Sequence, residues 1–139
     1  MMDLVRKCLV EIVRLALEED RVRDDVTTGS LLGLDGPARA ELRAKEAGVI
    51  SGIEAFEETM RQVDAGLEVE VFAGDGCQVE AGDLVLEVSG RESSILRGER
   101  TALNFLQRLS GVATLTRRFV KKLEPFGALL LDTRKTTPG

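Results

Sequence analysis

Apolar residues recur at steps of three and four over Leu4, Val5, Cys8, Leu9, Ile12, Val13 and Ala16, which predicts an amphipathic helix near the start of the chain. The period then changes to two. Ala38, Ala40, Leu42 and Ala44 alternate with Arg39, Glu41, Arg43 and Lys45, the pattern of a strand with one face on a core and one in water. Its inward side chains are small, so a helix is expected to pack closely on it. A short apolar stretch between Gly48 and Gly52 follows, then a second helical pattern over residues 53–65 with Ile53, Phe56, Met60 and Val63 on one face. Three short strands come next. Leu67, Val69 and Val71 alternate with Glu68 and Glu70, residues 77–79 form a brief strand, and residues 84–88 are apolar enough to lie inside. Asp75-Gly76 and Ala81-Gly82-Asp83 turn the chain between them. Ser93 and Ser94 are candidate starts for a long helix over residues 95–123, which Pro125 and Gly127 end. Residues 128–131 are wholly apolar and suit a strand of a parallel sheet covered on both faces.

The long helix carries the first chemistry. At 100° per residue, Ala102, Leu103, Phe105, Leu106, Leu109, Val112, Ala113 and Val120 cover about half its circumference, so it packs on more than one side. The other arc holds Arg100, Asn104, Gln107, Gly111, Arg118 and Lys122. Pattern alone leaves Arg100 equally compatible with plain solvent and with a site. Gly98 and Gly111 each cost about 1 kcal/mol relative to Ala inside a helix, a cost tolerated where a backbone or ligand comes close. Ser110-Gly111 marks a candidate kink or break. The second feature is the loop Thr133-Arg134-Lys135-Thr136-Thr137-Pro138, which offers two cations and three hydroxyls directly after the apolar run. In α/β folds ligands bind at the carboxyl ends of strands, and an Arg fork, a Lys point charge and Thr hydroxyls together fit a multiply charged anion.

Composition narrows the function classes. The 139 residues amount to one domain, or one and the start of another, and 43% hydrophobic content is ample for a core. A net charge of −5 and a lack of Trp and Tyr argue against nucleic acid as a partner. No apolar run is long enough to span a membrane, and Met1 leads straight into an amphipathic pattern, so a cytoplasmic protein is expected. The absence of histidine removes Ser-His-Asp and Cys-His catalysis and the commonest zinc ligand. Cys8 and Cys77 lie in apolar patterns and read as two buried thiols rather than a disulfide or metal pair. The run from Glu18 to Asp25 reads as a solvated loop, and Asp24-Asp25-Val26-Thr27-Thr28 as caps or turns in preference to a metal site. No metal-binding residue is assigned.

Asp25-Val26-Thr27-Thr28, Gly48 to Gly52, Asp75-Gly76 with Gly82, Gly98-Glu99-Arg100 through Asn104, Ser110-Gly111-Val112-Ala113-Thr114 and Thr133 to Gly139 occur in the order of one known family. The chain resembles the amino-terminal half of quinolinate phosphoribosyltransferase, also called nicotinate-nucleotide pyrophosphorylase (carboxylating). Asp24 stands where that family usually has Gly, a loop variation. The last three stretches are the specific ones.

The resemblance implies an α+β fold: an amino-terminal α/β sandwich with a mainly antiparallel sheet and flanking helices over residues 1–110, then, over residues 111–139, the first strand of an incomplete α/β barrel. It implies phosphoribosyl transfer from phosphoribosyl pyrophosphate to quinolinate with Mg2+, giving nicotinate mononucleotide, pyrophosphate and CO2 in de novo NAD biosynthesis. It implies a homodimer or larger assembly. By position Arg100 matches an arginine presented to quinolinate in the partner subunit, and Arg134 and Lys135, with Thr136 beside them and Thr133 as a further candidate, match substrate-binding residues of the barrel's first loop. No catalytic residue is assigned within this chain. The family's His-Arg pair, a further lysine and its metal-binding acidic residues are expected beyond Gly139, and residues 1–139 alone are expected to be inactive. Two alternatives stay open: the molybdenum-locus paralogue of the same fold, and a non-enzymatic sandwich or dimerisation module. The glycine turns around residues 77–79 resemble the hammerhead of lipoyl and biotinyl carrier domains, but no lysine stands on an exposed hairpin there.

Overall fold

The computed structural model describes residues 2–20, 36–133 and 135. The capping roles expected of Asp24, Asp25, Thr27 and Thr28, and the loop residues Arg134 and Thr136, lie outside the described residues. In chain order the elements are α1 (Met2–Glu19), β1 (Pro37–Arg43), β2 (Gly48–Val49), α2 (Ile53–Val63), β3 (Glu68–Val71), β4 (Gln78–Val79), β5 (Leu84–Arg91) and α3 (Glu92–Leu123), with a 3-10 turn over Glu124–Phe126. The result is an α+β fold with antiparallel sheets, as the family resemblance implies.

The main sheet has the order β1-β5-β3, all neighbours antiparallel. The most apolar strand, β5, sits in the centre, and the two strands of strict alternation lie at its edges. Leu42 pairs with Leu86 but Arg43 with Leu84, so Val85 is an extra residue in β5. At this bulge the Val85 carbonyl accepts from both Phe72 N–H (2.9 Å) and Ala73 N–H (3.0 Å). Breaking the alternation lets Val85 and Leu86, consecutive in sequence, both lie fully buried. A second, two-stranded sheet joins β2 to β4.

Helices α2 and α3 pack against each other and close the core with β5; α1 packs on α2. Phe56, Met60, Leu86, Val88, Ile95, Ala102 and Leu106 form its centre, with Ala38, Leu42, Leu67, Val69, Val71 and Leu103 at its margin. Gly98 lies where α3 meets α2: a Cβ there would come within 2.8 Å of Met60 Sδ. The close approach expected at this glycine is therefore helix packing, not a ligand. A Cβ at Gly111 would meet nothing within 4 Å among the described residues, and none of them explains that glycine. Helix α3 runs unbroken through Ser110-Gly111, so neither residue divides it.

Two further expectations are corrected. Both cysteines are exposed rather than buried. Cys8 lies on the amino-terminal half of α1, where Leu4 and Val5 are also exposed, and of that apolar stripe only Val13 is buried. Ser94 does not cap α3. The helix begins at Glu92, and the Ser94 hydroxyl donates instead to Asp64 Oδ2 (2.7 Å) at the end of α2. Gly52 does occupy the N-cap of α2, but with φ +105° and no side chain to offer, so the cap comes from elsewhere. Residues 128–131 form no ladder among the described residues, and Leu129 and Leu131 are exposed. A strand needs a partner to pair with, and none of the described residues supplies one.

Candidate functional site

Arg100 stands two turns into α3, on the side facing the end of α1. Its Nη1 donates to Asp20 Oδ1 at 3.0 Å, while Asp20 Oδ2 accepts from the Thr101 hydroxyl at 3.2 Å. Thr101 is buried; the Arg100 side chain is 77% exposed. The pair thus anchors a cation from below and leaves most of it in the open. Asp20 follows the last residue of α1, its N–H closing the helix on Ala16 O (3.0 Å). That is the negative end of the helix dipole, where an anion is disfavoured, and the last turn of α1 holds no basic residue. In sequence, Asp20 lies within a charged run that reads as a solvated loop. An acidic residue at a helix carboxyl terminus was the signal that it answers to something else.

A cavity of about 480 Å3 opens beside this pair between α1 and α3, lined by Ala16, Glu19, Asp20, Thr101, Asn104, Phe105, Arg108 and Leu109. Asn104 and Arg108 continue the face of Arg100 at four-residue steps, and Arg108 lies about 12 Å along the axis. Among the described residues neither makes a hydrogen bond or ion pair. Two guanidinium groups and an amide on one side of a helix can receive carboxylate or phosphate oxygens.

The second half of the motif at residues 110–114 is structural. The Ser110 hydroxyl accepts from Ser51 N–H (3.0 Å) and donates to Ser51 O (3.2 Å), and Thr114 Oγ1 accepts from Val49 N–H (2.9 Å). These side chains complete the backbone of the 48–52 segment, which has only a two-residue ladder of its own. The glycines there let α3 approach: a Cβ on Gly48 would lie 2.9 Å from Thr114 Oγ1, and one on Gly52 2.8 Å from Leu109 Cδ1. Asp75 supplies the missing cap of α2, its Oδ1 accepting from Gly52 N–H and Ile53 N–H at 2.9 Å each.

Of the loop candidates, Thr133 and Lys135 are described. Both are exposed, and Lys135 N–H donates to Thr133 Oγ1 at 3.1 Å. No hydrogen bond or ion pair among the described residues joins them to Arg100.

Comparison with known proteins gives these positions a context. Residues 25–110 match the family described as quinolinate phosphoribosyl transferase, N-terminal domain. A quinolinate phosphoribosyltransferase (decarboxylating) from Nicotiana tabacum, named as mitochondrial, is 42% identical over 132 residues, covering 94% of this chain and 37% of that protein. A probable nicotinate-nucleotide pyrophosphorylase (carboxylating) from Synechocystis is 42% identical over 123 residues, 88% of this chain and 41% of the relative. Among solved structures, the nicotinate-nucleotide pyrophosphorylase of Francisella tularensis superposes with a TM-score of 0.87 at 35% identity, over 94% of this chain and 46% of that one. NadC from Streptococcus pyogenes gives 0.86 at 40% identity, over 92% and 46%. The chain thus spans less than half the length of these relatives. With the family matched across the sheet, α2 and the first part of α3, and with the fold superposing on solved members, the chain belongs to the quinolinate phosphoribosyltransferase family, as its amino-terminal domain.

Proposed function

We propose that the chain serves as the amino-terminal part of an enzyme that transfers the phosphoribosyl group of phosphoribosyl pyrophosphate to quinolinate, releasing pyrophosphate and CO2 and giving nicotinate mononucleotide. The observation that carries the proposal is Arg100, an exposed guanidinium held at one edge by Asp20, on the part of α3 that the family match includes. Quinolinate bears two adjacent carboxylates and the other substrate is polyanionic, so a shared cavity needs several fixed cations to offset like-charge repulsion. Arg100 is proposed to reach a quinolinate carboxylate in the active site of a partner subunit. Arg134, Lys135 and Thr136, with Thr133, are proposed to bind substrate in their own subunit's site at the start of a barrel domain over residues 111–139. A homodimer or larger assembly in the cytoplasm is part of the same reading.

None of these groups has to move a proton. Once the ring nitrogen has bonded to ribose and pyrophosphate has left, the cationic ring accepts the electron pair of the breaking C–CO2 bond, the ring carbon then takes a proton from water, and the cations orient and neutralise. Mg2+ is proposed from the family likeness to accompany phosphoribosyl pyrophosphate. No group of three or more acidic or cysteine side chains among the described residues could hold it, so no step is routed through the metal on this chain. Turnover by residues 1–139 alone is not part of the proposal.

Titration calorimetry with quinolinate tests the reading. Arg100→Ala is expected to weaken binding about tenfold or more, the size of a lost charge-assisted hydrogen bond. An affinity unchanged by that substitution would remove Arg100 from the site.

A further inference from the structure

We infer that Asp20 is the positioning residue of Arg100: it holds the guanidinium by one edge so that the other edge is presented to a carboxylate. This rests on the proposed reading of Arg100 as a quinolinate ligand. Four observations carry it. The only partner of Arg100 among the described residues is Asp20, and only Nη1 is engaged, at 3.0 Å. The Nε and Nη2 donors, which together form the side-on fork for bidentate carboxylate binding, are left unpaired among the described residues. Asp20 is in turn fixed by the hydroxyl of buried Thr101 and by its place at the end of α1. Finally, the carboxylate stands at the unfavourable end of that helix dipole, where its contacts across to α3 offset that cost.

An arginine that is 77% exposed would otherwise spread over many rotamers, and a ligand would have to order it at the moment of binding. The tether removes part of that cost in advance. It also places a negative charge near the incoming anion, which opposes binding through solvent. Asp20 engages a different edge of the guanidinium from the free fork, so it does not compete for the same donors. Ordering is therefore expected to outweigh repulsion.

The Nε–Hε signal of Arg100 in a 15N-labelled chain, assigned by its loss in Arg100→Lys, reports both the tether and the ligand. Titration with quinolinate is expected to move it. In Asp20→Asn, which keeps the shape and an acceptor oxygen but not the charge, the apparent affinity is expected to fall about three- to tenfold with the thermal unfolding midpoint little changed. Combined with Arg100→Lys, Asp20→Asn is expected to add no further loss, because there is no longer a fork to orient. Equal affinity in wild type and Asp20→Asn would overturn the positioning role and leave the reading of Arg100 intact. Tighter binding in Asp20→Asn would overturn it too, making Asp20 a competitor. A loss from Asp20→Asn that persists in full beside Arg100→Lys would assign Asp20 a structural role instead. A wild-type Arg100 signal indifferent to quinolinate would sink the reading of Arg100 itself, and the inference with it.

Discussion

Asp75 accepts hydrogen bonds from Gly52 N–H and Ile53 N–H, residues 23 and 22 positions before it, and so caps a helix to which it does not belong. The arrangement follows from Gly52. A side chain there would meet Leu109 and would sit at φ +105°, so the N-cap position itself can carry no donor or acceptor beyond its backbone. Removing the borrowed carboxylate leaves two partly buried N–H groups without a partner. Asp75→Ala is expected to lower unfolding stability by about 1–2 kcal/mol, and Asp75→Asn, which keeps an acceptor oxygen, by less, as read by urea denaturation. The pair Asp75-Gly76 was legible in sequence only as a turn. Its second duty was not, because a cap supplied from another part of the chain leaves no local spacing to detect. Arg100 was legible as a cation out of place on a helix, whereas Asp20 was hidden in a run of charges that local pattern assigns to solvent.

At the scale of elements, α1 is tied to the rest by polar contacts as much as by packing. Gln62 Nε2 on α2 donates to Val10 O on α1 (2.9 Å) and to Glu58 Oε1 (2.6 Å), and Glu58 also receives two hydrogen bonds from Arg61. Burial pushes the Glu58 carboxyl up, but the hydrogen bonds from Arg61 and Gln62, with the Arg61 and Arg6 charges, outweigh it and hold the group below its ordinary value of 4.5. A carboxyl depressed in the folded state binds its proton less readily there than in the unfolded chain. Its stabilising effect is present above the unfolded value and is lost as pH falls through the folded one. Between about pH 5 and pH 3, Glu58→Gln is therefore expected to lose less stability than wild type, although it is the less stable of the two at pH 7, in thermal unfolding followed across that range. The elements themselves were largely readable. The periods of 3.6 and 2 located the helices and the edge strands β1 and β3, each with one apolar face, and an apolar run located the central β5. The bulge at Val85 was not readable, since two adjacent apolar residues look alike whether both are buried or only one. Residues 128–131 read as a strand by composition alone, and pairing is a long-range property that a four-residue apolar run does not encode.

Across the whole molecule the core is lopsided. The first half of α3 buries Ile95, Ala102 and Leu106, while its second half leaves Val112, Leu115 and Phe119 more than half exposed, with Phe126, Leu129 and Leu131 further out still. The helix wheel predicts an apolar arc from Ala102 to Val120. What the wheel could not say is that the described residues cover only its amino-terminal part. Core packing and apolar sequence therefore diverge along a single 32-residue helix, and the divergence is measurable. Leu106 is 3% exposed within the central cluster, so Leu106→Ala removes buried surface and leaves a cavity, and it is expected to cost about 2–5 kcal/mol. Leu115, 54% exposed two and a half turns further on, buries little in this chain, and Leu115→Ala is expected to change stability by no more than about 0.5 kcal/mol. Urea denaturation of the two variants beside wild type checks both. A loss at Leu115 as large as that at Leu106 would mean that the second half of α3 is covered in solution, either by residues outside those described or by another copy of the chain. Running the same comparison at several protein concentrations separates these, because only cover by a second copy weakens on dilution.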